Sequence, residues 1–264
     1  MIEFRNVYKA FDDDPVLVDV SLLIESGETK IIVGESGSGK STILKLILGL
    51  IRPDSGQILI GGRDITQLRE RELVSIRADI GMVFQEGALF DSLTVRENVG
   101  YRLYEEGEMS EEEVEAHVLQ HLGFVGLEDS IDKMPAELSG GMKRRVGIAR
   151  ALVGSPKVVL YDEPTAGLDP ITKRTIVDLM IKLRDLEGVT SVFVTHDLDA
   201  ASTMANEGIS TSENGEMDHK TGAESNKRGS STRIIMLNEA SVCFEGSYQE
   251  MMNSQIKYVQ TFTA

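Results

Sequence analysis

Residues 34–42 read Gly-Glu-Ser-Gly-Ser-Gly-Lys-Ser-Thr, and this stretch decides the fold of the chain. It fits the P-loop pattern, in which spaced glycines precede Lys-Ser or Lys-Thr. An apolar run at 31–33 predicts a buried strand before the loop, and an apolar run at 43–51 predicts a helix after it. A glycine- and serine-rich surface loop without a ligand is the alternative. Because strand, loop and helix occur in the required order, we interpret the stretch as a loop that binds phosphate groups.

The residue types of this loop suit a phosphate chain bound together with a magnesium ion. The glycines allow a tight turn, so that backbone N–H groups and the positive end of the following helix point at the phosphates. Lys40 adds a positive charge, and the Ser41 hydroxyl is a candidate ligand of Mg²⁺. The residues predicted to contact the nucleotide are Gly34, Glu35, Ser36, Gly37, Ser38, Gly39, Lys40, Ser41 and Thr42.

The composition limits the classes of partner and compartment. The chain has 264 residues, enough for one large α/β domain. Acidic residues outnumber basic ones 43 to 27, which argues against a nucleic-acid partner because a polyanion needs a basic surface. The single cysteine, Cys243, excludes an internal disulfide and suits a reducing cytosol. Since no apolar stretch is long enough to span a bilayer, we expect a soluble protein that is able to dock on a membrane protein.

The order of the predicted elements indicates an α/β fold with two additions. Apolar residues at 2–8 and 16–24 predict an antiparallel pair of strands near the N-terminus. A buried strand at 79–84 is followed by helices and loops over about 87–154. We therefore predict one domain over the full 264 residues, in which a core sheet carries an N-terminal antiparallel β-subdomain and an inserted helical subdomain.

Polar residues follow the apolar strands of the predicted core sheet. The runs at 79–84, 157–161 and 189–195 each read as a buried strand with polar residues directly after it. The carboxyl ends of parallel strands share one edge of a sheet, where ligands bind. We therefore expect these polar residues to meet the P-loop in one cleft. They are Gln85, Asp162, Glu163 and His196.

These residues suit the transfer of a phosphoryl group to water. Asp162 is interpreted as the acid that holds Mg²⁺ opposite Ser41, which leaves Glu163 to orient and polarise the attacking water. His196 is able to donate a hydrogen bond to the γ-phosphate. Glu163, His196 and Lys40 form the predicted catalytic set. A turn or helix cap for the two acids, and an ordinary loop histidine, are the alternatives.

A second glycine turn, Leu-Ser-Gly-Gly-Met at 138–142, precedes a predicted helix at 143–152. Its backbone N–H groups and the positive end of the helix offer another site for an anion. A simple helix N-cap is the alternative. That interpretation leaves unexplained why a chain with one P-loop carries a second helix start of this kind.

The segment 206–232 differs in composition from the rest of the chain. It is rich in Ser, Gly, Asn, Glu and Thr and has few apolar residues. Such a segment cannot bury enough apolar surface to offset the entropy lost on ordering. We predict a disordered insertion, with a regulatory or docking loop as the alternative.

Six motifs resemble those of the ATP-binding cassette (ABC) transporter ATPases in order and in approximate spacing. Shorter stretches at 84–90, 134–137 and 167–172 resemble, within that family, the ATPase subunit of the Mla/Mce-type phospholipid transport systems of Gram-negative bacteria. The six motifs are residues 34–42, Gln85, residues 138–142, Asp162 with Glu163, Gly-Leu-Asp at 167–169, and His196.

The resemblance implies a P-loop NTPase fold of the ABC ATPase type and roles for further residues. Phe11 lies where an aromatic ring stacks on adenine, and Gln85 lies where a glutamine contacts Mg²⁺ and senses a membrane subunit. Asp169 lies where an aspartate crosses to the other subunit. The signature residues that would bind the γ-phosphate of the ATP held by the opposite monomer are Ser139, Gly140 and Gly141.

The implied protein binds ATP and Mg²⁺ and works as a head-to-tail homodimer on the cytoplasmic face of the inner membrane, as a peripheral subunit. The implied partners are integral membrane permease subunits and, as a further candidate, a small cytoplasmic accessory subunit, with no nucleic acid. Residues 86–95 are predicted to form part of the groove that receives a permease helix; core packing of their apolar side chains is the alternative. Phospholipid transport is the expected function, with another solute or a non-transport ABC ATPase as alternatives.

Two features depart from the family pattern. The signature ends in Met142, where glutamine is more common, but the Ser-Gly-Gly that binds phosphate is intact. We therefore expect activity to survive this change. The insertion at 206–232 is unusual for the family, so the resemblance implies nothing about its role.

Overall fold

The computed structural model describes residues 1–211, 217–221 and 232–263. In chain order the strands are β1 (Ile2–Phe11), β2 (Asp14–Ile24), β3 (Thr29–Val33), β4 (Ser55–Ile60), β5 (Arg63–Asp64), β6 (Ile80–Val83), β7 (Val158–Asp162), β8 (Thr190–Thr195), β9 (Glu207–Thr211), β10 (Met217–Thr221), β11 (Thr232–Asn238) and β12 (Ser241–Gly246). The α-helices are α1 (Lys40–Ile47), α2 (Glu70–Arg77), α3 (Val95–Glu106), α4 (Glu111–Phe124), α5 (Gly140–Leu152), α6 (Pro170–Lys182), α7 (Leu198–Asn206), α8 (Tyr248–Met252) and α9 (Lys257–Thr263). A short π-helical turn, Leu183–Glu187, continues α6.

The N-terminal part of the chain forms an antiparallel sheet in the order β2-β1-β4-β5. Alternate residues at the start of β1, such as Ile2 and Phe4, are buried, as expected for a strand with one covered face. The register pairs Ile2 with Ile24 on one side and with Ile60 on the other. The antiparallel pair predicted for the N-terminus is confirmed.

The core sheet has six strands in the order β12-β11-β3-β8-β7-β6. All neighbouring strands run parallel except β12, which pairs antiparallel with β11 at one edge. Every residue of β3 and β8 is buried, because both faces of the sheet are covered. Ile31 and Val33 pack with the helices on one face, and Ile32 packs with α1 and the antiparallel sheet on the other. The carboxyl ends of β3, β6, β7 and β8 therefore lie along one edge.

The helical part of the chain lies between β6 and β7, which are neighbours in the core sheet. Its helices α3, α4 and α5 bury Val99, Val118 and Val146 in one cluster. A capping box starts α4, because the Ser110 hydroxyl accepts a hydrogen bond from the Glu113 N–H and the Glu113 carboxylate accepts one from the Ser110 N–H. The predicted fold class, an α/β core sheet with an antiparallel β-subdomain and an inserted helical subdomain, is confirmed.

The predicted disordered insertion at 206–232 lies partly outside the described residues. Its described parts form β9 and β10, which pair antiparallel from Glu207 opposite Thr221 to Thr211 opposite Met217. The composition predicted a loop because it offers little apolar surface, whereas pairing needs only backbone N–H and C=O groups. Arg184 Nη2 donates to the Glu207 carbonyl at 2.6 Å, and Arg174 pairs with the Glu207 carboxylate. The start of this two-stranded sheet is therefore tied to α6 through Arg174 and to the π-helical turn through Arg184.

Across the ranges that the structure describes, we find no helix that is both long and apolar enough to cross a bilayer.

Candidate active site

The P-loop connects β3 to α1 at the carboxyl edge of the core sheet. Gly37 and Gly39 have φ angles of 84° and 96°, in the region that favours glycine. A Cβ atom on Gly39 would lie 2.7 Å from the Val16 carbonyl oxygen, so a side chain at this position would force the loop away from β2. The glycines thus let the loop turn tightly and direct the start of α1 toward the cleft. Of the other loop residues, Glu35 and Ser36 are exposed, as is Gly37, and Thr42 is half-buried.

Lys40 lies inside the loop and is almost fully buried, with 5% of its side chain exposed. Its Nζ atom donates to the carbonyl oxygens of Gly34 and Glu35, each at 2.8 Å, and lies 3.9 Å from Glu163 Oε1. Burial lowers the pKa of Lys40, and the carboxylates of Glu163 and Asp162 act against this shift. The lysine therefore places a desolvated positive charge where the loop would hold phosphate oxygens.

Ser41 and Asp162 meet across the cleft, as the sequence predicted for two ligands of one metal ion. Ser41 Oγ donates to Asp162 Oδ1 at 2.8 Å, although the residues are 121 positions apart in the chain. The described residues contain no cluster of three or more His, Cys, Asp or Glu side chains able to hold a metal by themselves. One carboxylate and one hydroxyl suit Mg²⁺, because this ion is usually bound by one or two carboxylates together with substrate phosphates. The donor set therefore fits Mg²⁺ bound with a nucleotide.

Ser38 supplies a second test of whether a phosphate chain fits here. Its Oγ atom is buried and has no hydrogen-bond partner within the described parts of the chain. Such an atom is costly unless something satisfies it. A phosphate oxygen held by the loop would accept its proton, so the loop is chemically matched to a nucleotide.

Glu163 and His196 follow neighbouring strands, β7 and β8, and contact each other. His196 Nδ1 lies 2.9 Å from Glu163 Oε2, with 53% of the histidine side chain and 14% of the glutamate side chain exposed. The backbone of Glu163 has a φ angle of 47°, which is uncommon for a residue with a side chain. Its N–H donates to the Val194 carbonyl of β8 at 3.0 Å, which holds this conformation. The structure thus brings Lys40, Glu163 and His196, the predicted catalytic set, to one place.

Gln85 lies just after β6, next to the strand that carries Asp162. Its side chain is exposed, and its backbone carbonyl accepts a hydrogen bond from Arg144 Nε. Arg144 is buried and also donates to the Ala166 carbonyl. Burial lowers the pKa of this guanidinium, against the opposing charge of Glu86. Arg144 fixes the loops after β6 and β7 to α5, and sequence reasoning missed this role because nothing in the local pattern shows its distant partners.

The Ser-Gly-Gly stretch lies at the start of α5, and Ser139 is its N-cap. The Ser139 hydroxyl accepts a hydrogen bond from the Met142 N–H at 3.3 Å, and Ser139 and Gly140 are exposed. Gly141 packs so closely on Thr172 that an added Cβ atom would overlap with Thr172 Cγ2. Among the described residues, no hydrogen bond or ion pair joins this stretch to the P-loop of the same chain. The structure thus gives no direct polar contact, among the described residues, between the P-loop and the start of α5.

Asp169 and Phe11 are the remaining predicted residues. Asp169 caps α6 by accepting from the N–H groups of Ile171 and Thr172, each at 3.1 Å, and hydrogen bonds from Thr172 and Ile171 lower its pKa. Phe11 is exposed at the end of β1, and Lys9 Nζ lies 5.3 Å from its ring centroid. The ring therefore offers an open face on which a base could stack.

A phosphate-binding loop at the carboxyl edge of a parallel sheet, with acids after another strand at the same edge, defines a P-loop nucleotide-binding protein. The family profile described as "ABC transporter" matches residues 17–166, more than half of the chain. The chain belongs to the ABC transporter family and carries its ATPase domain.

Several known proteins resemble this chain over most of its length. It is 48% identical over 188 residues to the chloroplastic protein TRIGALACTOSYLDIACYLGLYCEROL 3 of Arabidopsis thaliana, covering 68% of this chain and 54% of the relative. It is 39% identical over 203 residues to the probable ribonucleotide transport ATP-binding protein mkl of Mycobacterium tuberculosis, covering 77% and 56%. It is 45% identical over 203 residues to the methionine import ATP-binding protein MetN 1 of Burkholderia pseudomallei, covering 75% and 59%. The chain spans about half the length of the curated relatives it matches.

A solved structure shows the same fold over nearly the whole chain. It is the dimer of the ATP-binding cassette MJ0796 in a post-hydrolysis state, bound to ADP and Pi. The TM-score is 0.77 and the sequence identity 35%, with 94% of this chain and 98% of that chain covered.

Proposed function

We propose that this chain is the ATP-hydrolysing subunit of a membrane transporter and works as a homodimer with two ATP molecules at its interface. The observation that carries the proposal is the presence of two phosphate-binding elements that do not meet within one chain. The P-loop lies beside Asp162 and Glu163, whereas Ser139 and Gly140 at the start of α5 are exposed. A second copy placed head to tail brings the α5 start of one chain to the P-loop of the other. The solved MJ0796 structure, which is dimeric and holds ADP and Pi, supports this arrangement.

The residues at the P-loop have separate tasks in this proposal. Lys40 and the N–H groups at the start of α1 stabilise the negative charge of the phosphate oxygens. Ser41 and Asp162 would hold Mg²⁺, which supplies positive charge to the phosphates when bound. Glu163 accepts a hydrogen bond from the attacking water and thereby orients it.

His196 has a constraint that its sequence position does not show. Its Nδ1 atom faces the Glu163 carboxylate at 2.9 Å, so Nδ1 carries a proton in this arrangement. His196 would therefore meet a bound γ-phosphate with its other ring nitrogen, Nε2, while Nδ1 stays bound to Glu163.

Replacing Glu163 by glutamine tests the assigned chemistry. Loss of the carboxylate should lower kcat by about 100-fold or more, which is the usual contribution of a general base. ATP binding should persist, and an ATP-bound dimer should accumulate on size-exclusion chromatography. The control is Glu108→Gln, an exposed glutamate between α3 and α4, which should leave the rate unchanged. Hydrolysis at the wild-type rate by Glu163→Gln would rule out the assigned role.

The face beside the end of β6 fits a helix of a membrane subunit. A cleft of about 540 Å³ there is lined mostly by apolar side chains, together with arginines and Glu106, and Val74, Phe90 and Tyr101 are exposed in it. The rings of Phe90 and Tyr101 contact each other, with centroids 4.9 Å apart. Of the residues at 86–95, Ala88 and Phe90 line this cleft, whereas Leu89 packs against the core. An exposed apolar cleft of this kind marks a site for a partner.

Phospholipid is the cargo that we propose, with transport between membranes as the role. The resemblance of 84–90, 134–137 and 167–172 to Mla/Mce-type ATPases supports it. The name of the Arabidopsis relative contains that of a galactosylated diacylglycerol, which supports a lipid cargo without specifying a phospholipid. Another solute is the second candidate, because relatives named for methionine import and ribonucleotide transport match at 45% and 39% identity. The subunit would lie on the cytoplasmic face of the inner membrane, bound to permease subunits and to a small accessory subunit.

Purification of the complex from solubilised membranes distinguishes the cargoes. The tagged chain should retain an integral membrane partner, and organic extraction of the complex should yield phospholipid. Phe90→Asp should release the partner without changing the affinity for ATP, because the exposed ring lies in the cleft beside β6 and not at the P-loop. Retention of methionine in place of lipid would favour the second candidate.

A further inference from the structure

An ion pair joins α6 to the residue that follows His196. Lys173, in the first turn of α6, places its Nζ atom 2.6 Å from Asp197 Oδ2. The lysine side chain is 37% exposed and the aspartate side chain 12% exposed. Because Asp197 is bonded directly to His196, whatever fixes Asp197 also fixes the backbone from which the histidine ring extends.

The two oxygen atoms of Asp197 have different partners. Oδ1 caps α7 by accepting from the N–H groups of Asp199 at 3.1 Å and Ala200 at 3.2 Å. Oδ2 is left to accept from Lys173. Burial acts to raise the pKa of Asp197, but Lys173 and the N–H groups outweigh it and lower the pKa. The cap formed by Asp197 Oδ1 anchors α7. The ion pair between Oδ2 and Lys173 connects the same residue to a second helix, α6.

Within the described part of the chain, His196 has few fixed contacts: besides the ring contact to Glu163, its backbone N–H donates to Glu163 Oε2 at 3.4 Å. About half of its side chain is exposed, and the contact recorded for the ring is the one to Glu163. A small displacement of a group that must meet a reacting phosphate lowers the rate steeply. The placement of the His196 ring therefore depends mainly on where its backbone lies. A ring enclosed by neighbouring side chains would depend on its backbone less.

The same turn of α6 also contacts the start of α5. Thr172, next to Lys173, packs on Gly141 so closely that no side chain fits there. Thr172 therefore contacts the element proposed to bind the partner's ATP, and Lys173 contacts the loop proposed to act on the chain's own ATP. The first turn of α6 therefore contacts both the start of α5 and the loop that carries His196 and Asp197.

We propose that Lys173 is a positioning residue for ATP hydrolysis: through Asp197 it holds His196 beside Glu163 and ties that position to the contact of α6 with the α5 start. The proposal rests on the ATPase function proposed above. It assigns Lys173 no contact with ATP and no proton transfer. Its loss should therefore change the catalytic step while leaving nucleotide binding intact.

The test compares variants of Lys173 in the full-length dimer. Lys173→Met keeps most of the side-chain length without the charge and should lower kcat about tenfold, with KM for ATP within about twofold, as expected for a misplaced catalytic group. Lys173→Arg should restore at least half of the wild-type kcat, because it returns a positive charge to Asp197. Asp197→Asn keeps a side chain that caps helices well and should lower kcat as Lys173→Met does.

The double variant Lys173→Met, Asp197→Asn should lose no more activity than either single variant, since both remove the same ion pair. The matched control is Arg174→Met. Arg174 is the next residue on α6 and also forms ion pairs, but with Asp178 and Glu207, away from His196. The Arg174→Met variant should retain the wild-type kcat even if its melting temperature falls.

Three outcomes would overturn the proposal: wild-type kcat in Lys173→Met, an equal loss of kcat in Arg174→Met, or losses that add in the double variant. Failure of the underlying function appears differently. If Glu163→Gln hydrolyses ATP at the wild-type rate, the assigned chemistry is wrong. If Glu163→Gln is inactive and Lys173→Met is fully active, only the positioning role is wrong.

Discussion

Two helix starts in this chain offer backbone N–H groups to an anion, and they differ in what surrounds them. The start of α1 contacts other residues of its own chain. Lys40 is buried there, and the Ser41 hydroxyl donates a hydrogen bond to the Asp162 carboxylate. At the start of α5, Ser139 and Gly140 are exposed, and Gly141 packs on Thr172 of α6. Both are glycine-rich turns before a helix, so the local pattern alone does not separate a closed site from an open one.

The difference suggests that the second element acts on another molecule. A helix start that is exposed, well capped and backed by a neighbouring helix is rigid without being occupied by its own chain. The α5 start has these properties, because Ser139 caps it and Thr172 supports it. The predictions below test whether its target is the P-loop of a second copy.

The largest effect is expected from combining a P-loop change with a signature change in mixed dimers. With Lys40→Ala and Ser139→Arg on the same chain and a wild-type partner, both shared sites are damaged, and ATP hydrolysis should fall about 100-fold or more. With the two changes on separate chains, both fall on one site. The other site stays intact and should give about half of the wild-type rate if the sites turn over independently.

Dimers with two affinity tags, one for each chain, allow this measurement. About half of the wild-type rate with both changes on one chain, and near-complete loss with the changes on separate chains, would show that each chain builds its site alone. Equal rates in the two arrangements would show that Ser139 contributes to neither site. Either result would rule out the shared site.

An intermediate effect, on stability or on kcat, is expected from replacing either of the two glycines at the start of α5 by alanine. Nothing lies within 4 Å of a Cβ atom placed on Gly140, whereas one on Gly141 would overlap with Thr172. Gly141→Ala should therefore destabilise the fold by about 1–3 kcal/mol, as overpacking does. Gly140→Ala should leave the free energy of unfolding equal or raise it by about 0.5 kcal/mol, and yet lower kcat about tenfold because the methyl group would face the partner's nucleotide.

Urea unfolding and steady-state kinetics on the same samples measure both quantities. A fully active Gly140→Ala would indicate that the α5 start faces solvent and not a second ATP site.

The smallest effect is expected at Ser38, inside the closed site. Its buried Oγ atom lacks a partner in the described parts of the chain, so Ser38→Ala should change the free energy of unfolding by less than about 0.5 kcal/mol. Losing a hydrogen bond to a charged phosphate should raise KM for ATP about tenfold. The matched control is Thr29→Val at the other end of β3, whose buried hydroxyl also lacks a partner. It should leave KM unchanged, and an equal rise in KM in both variants would remove the role given to Ser38.

Much of the fold could be predicted because the patterns that specify it are local. The apolar runs at 31–33, 157–161 and 189–195 correspond to β3, β7 and β8, and no predicted bound differs from the observed one by more than two residues. The P-loop could be identified because its glycines meet a local backbone demand, seen at Gly39. The meeting of Asp162 with Ser41 followed from the rule that parallel strands present their carboxyl ends at one edge.

Other contacts could not be predicted, because their partners lie far apart in the chain and carry no shared pattern. Arg144 donates to the loops after β6 and β7, and nothing near it in the sequence indicates this. The pairing of β9 with β10 went unpredicted because composition measures the apolar surface available and does not report backbone pairing.

The sequence by itself determined the class of this protein, its phosphate-binding loop and the residue types that serve it, because turns, caps and strand periodicity depend on neighbouring residues. Only the tertiary structure decided which of these residues meet. The sheet order β3-β8-β7 places Lys40, Glu163 and His196 together, and the packing of α6 places Lys173 on Asp197 and Thr172 on Gly141. The reason is physical: contacts between distant residues are set by how whole elements pack, and that depends on the complete core.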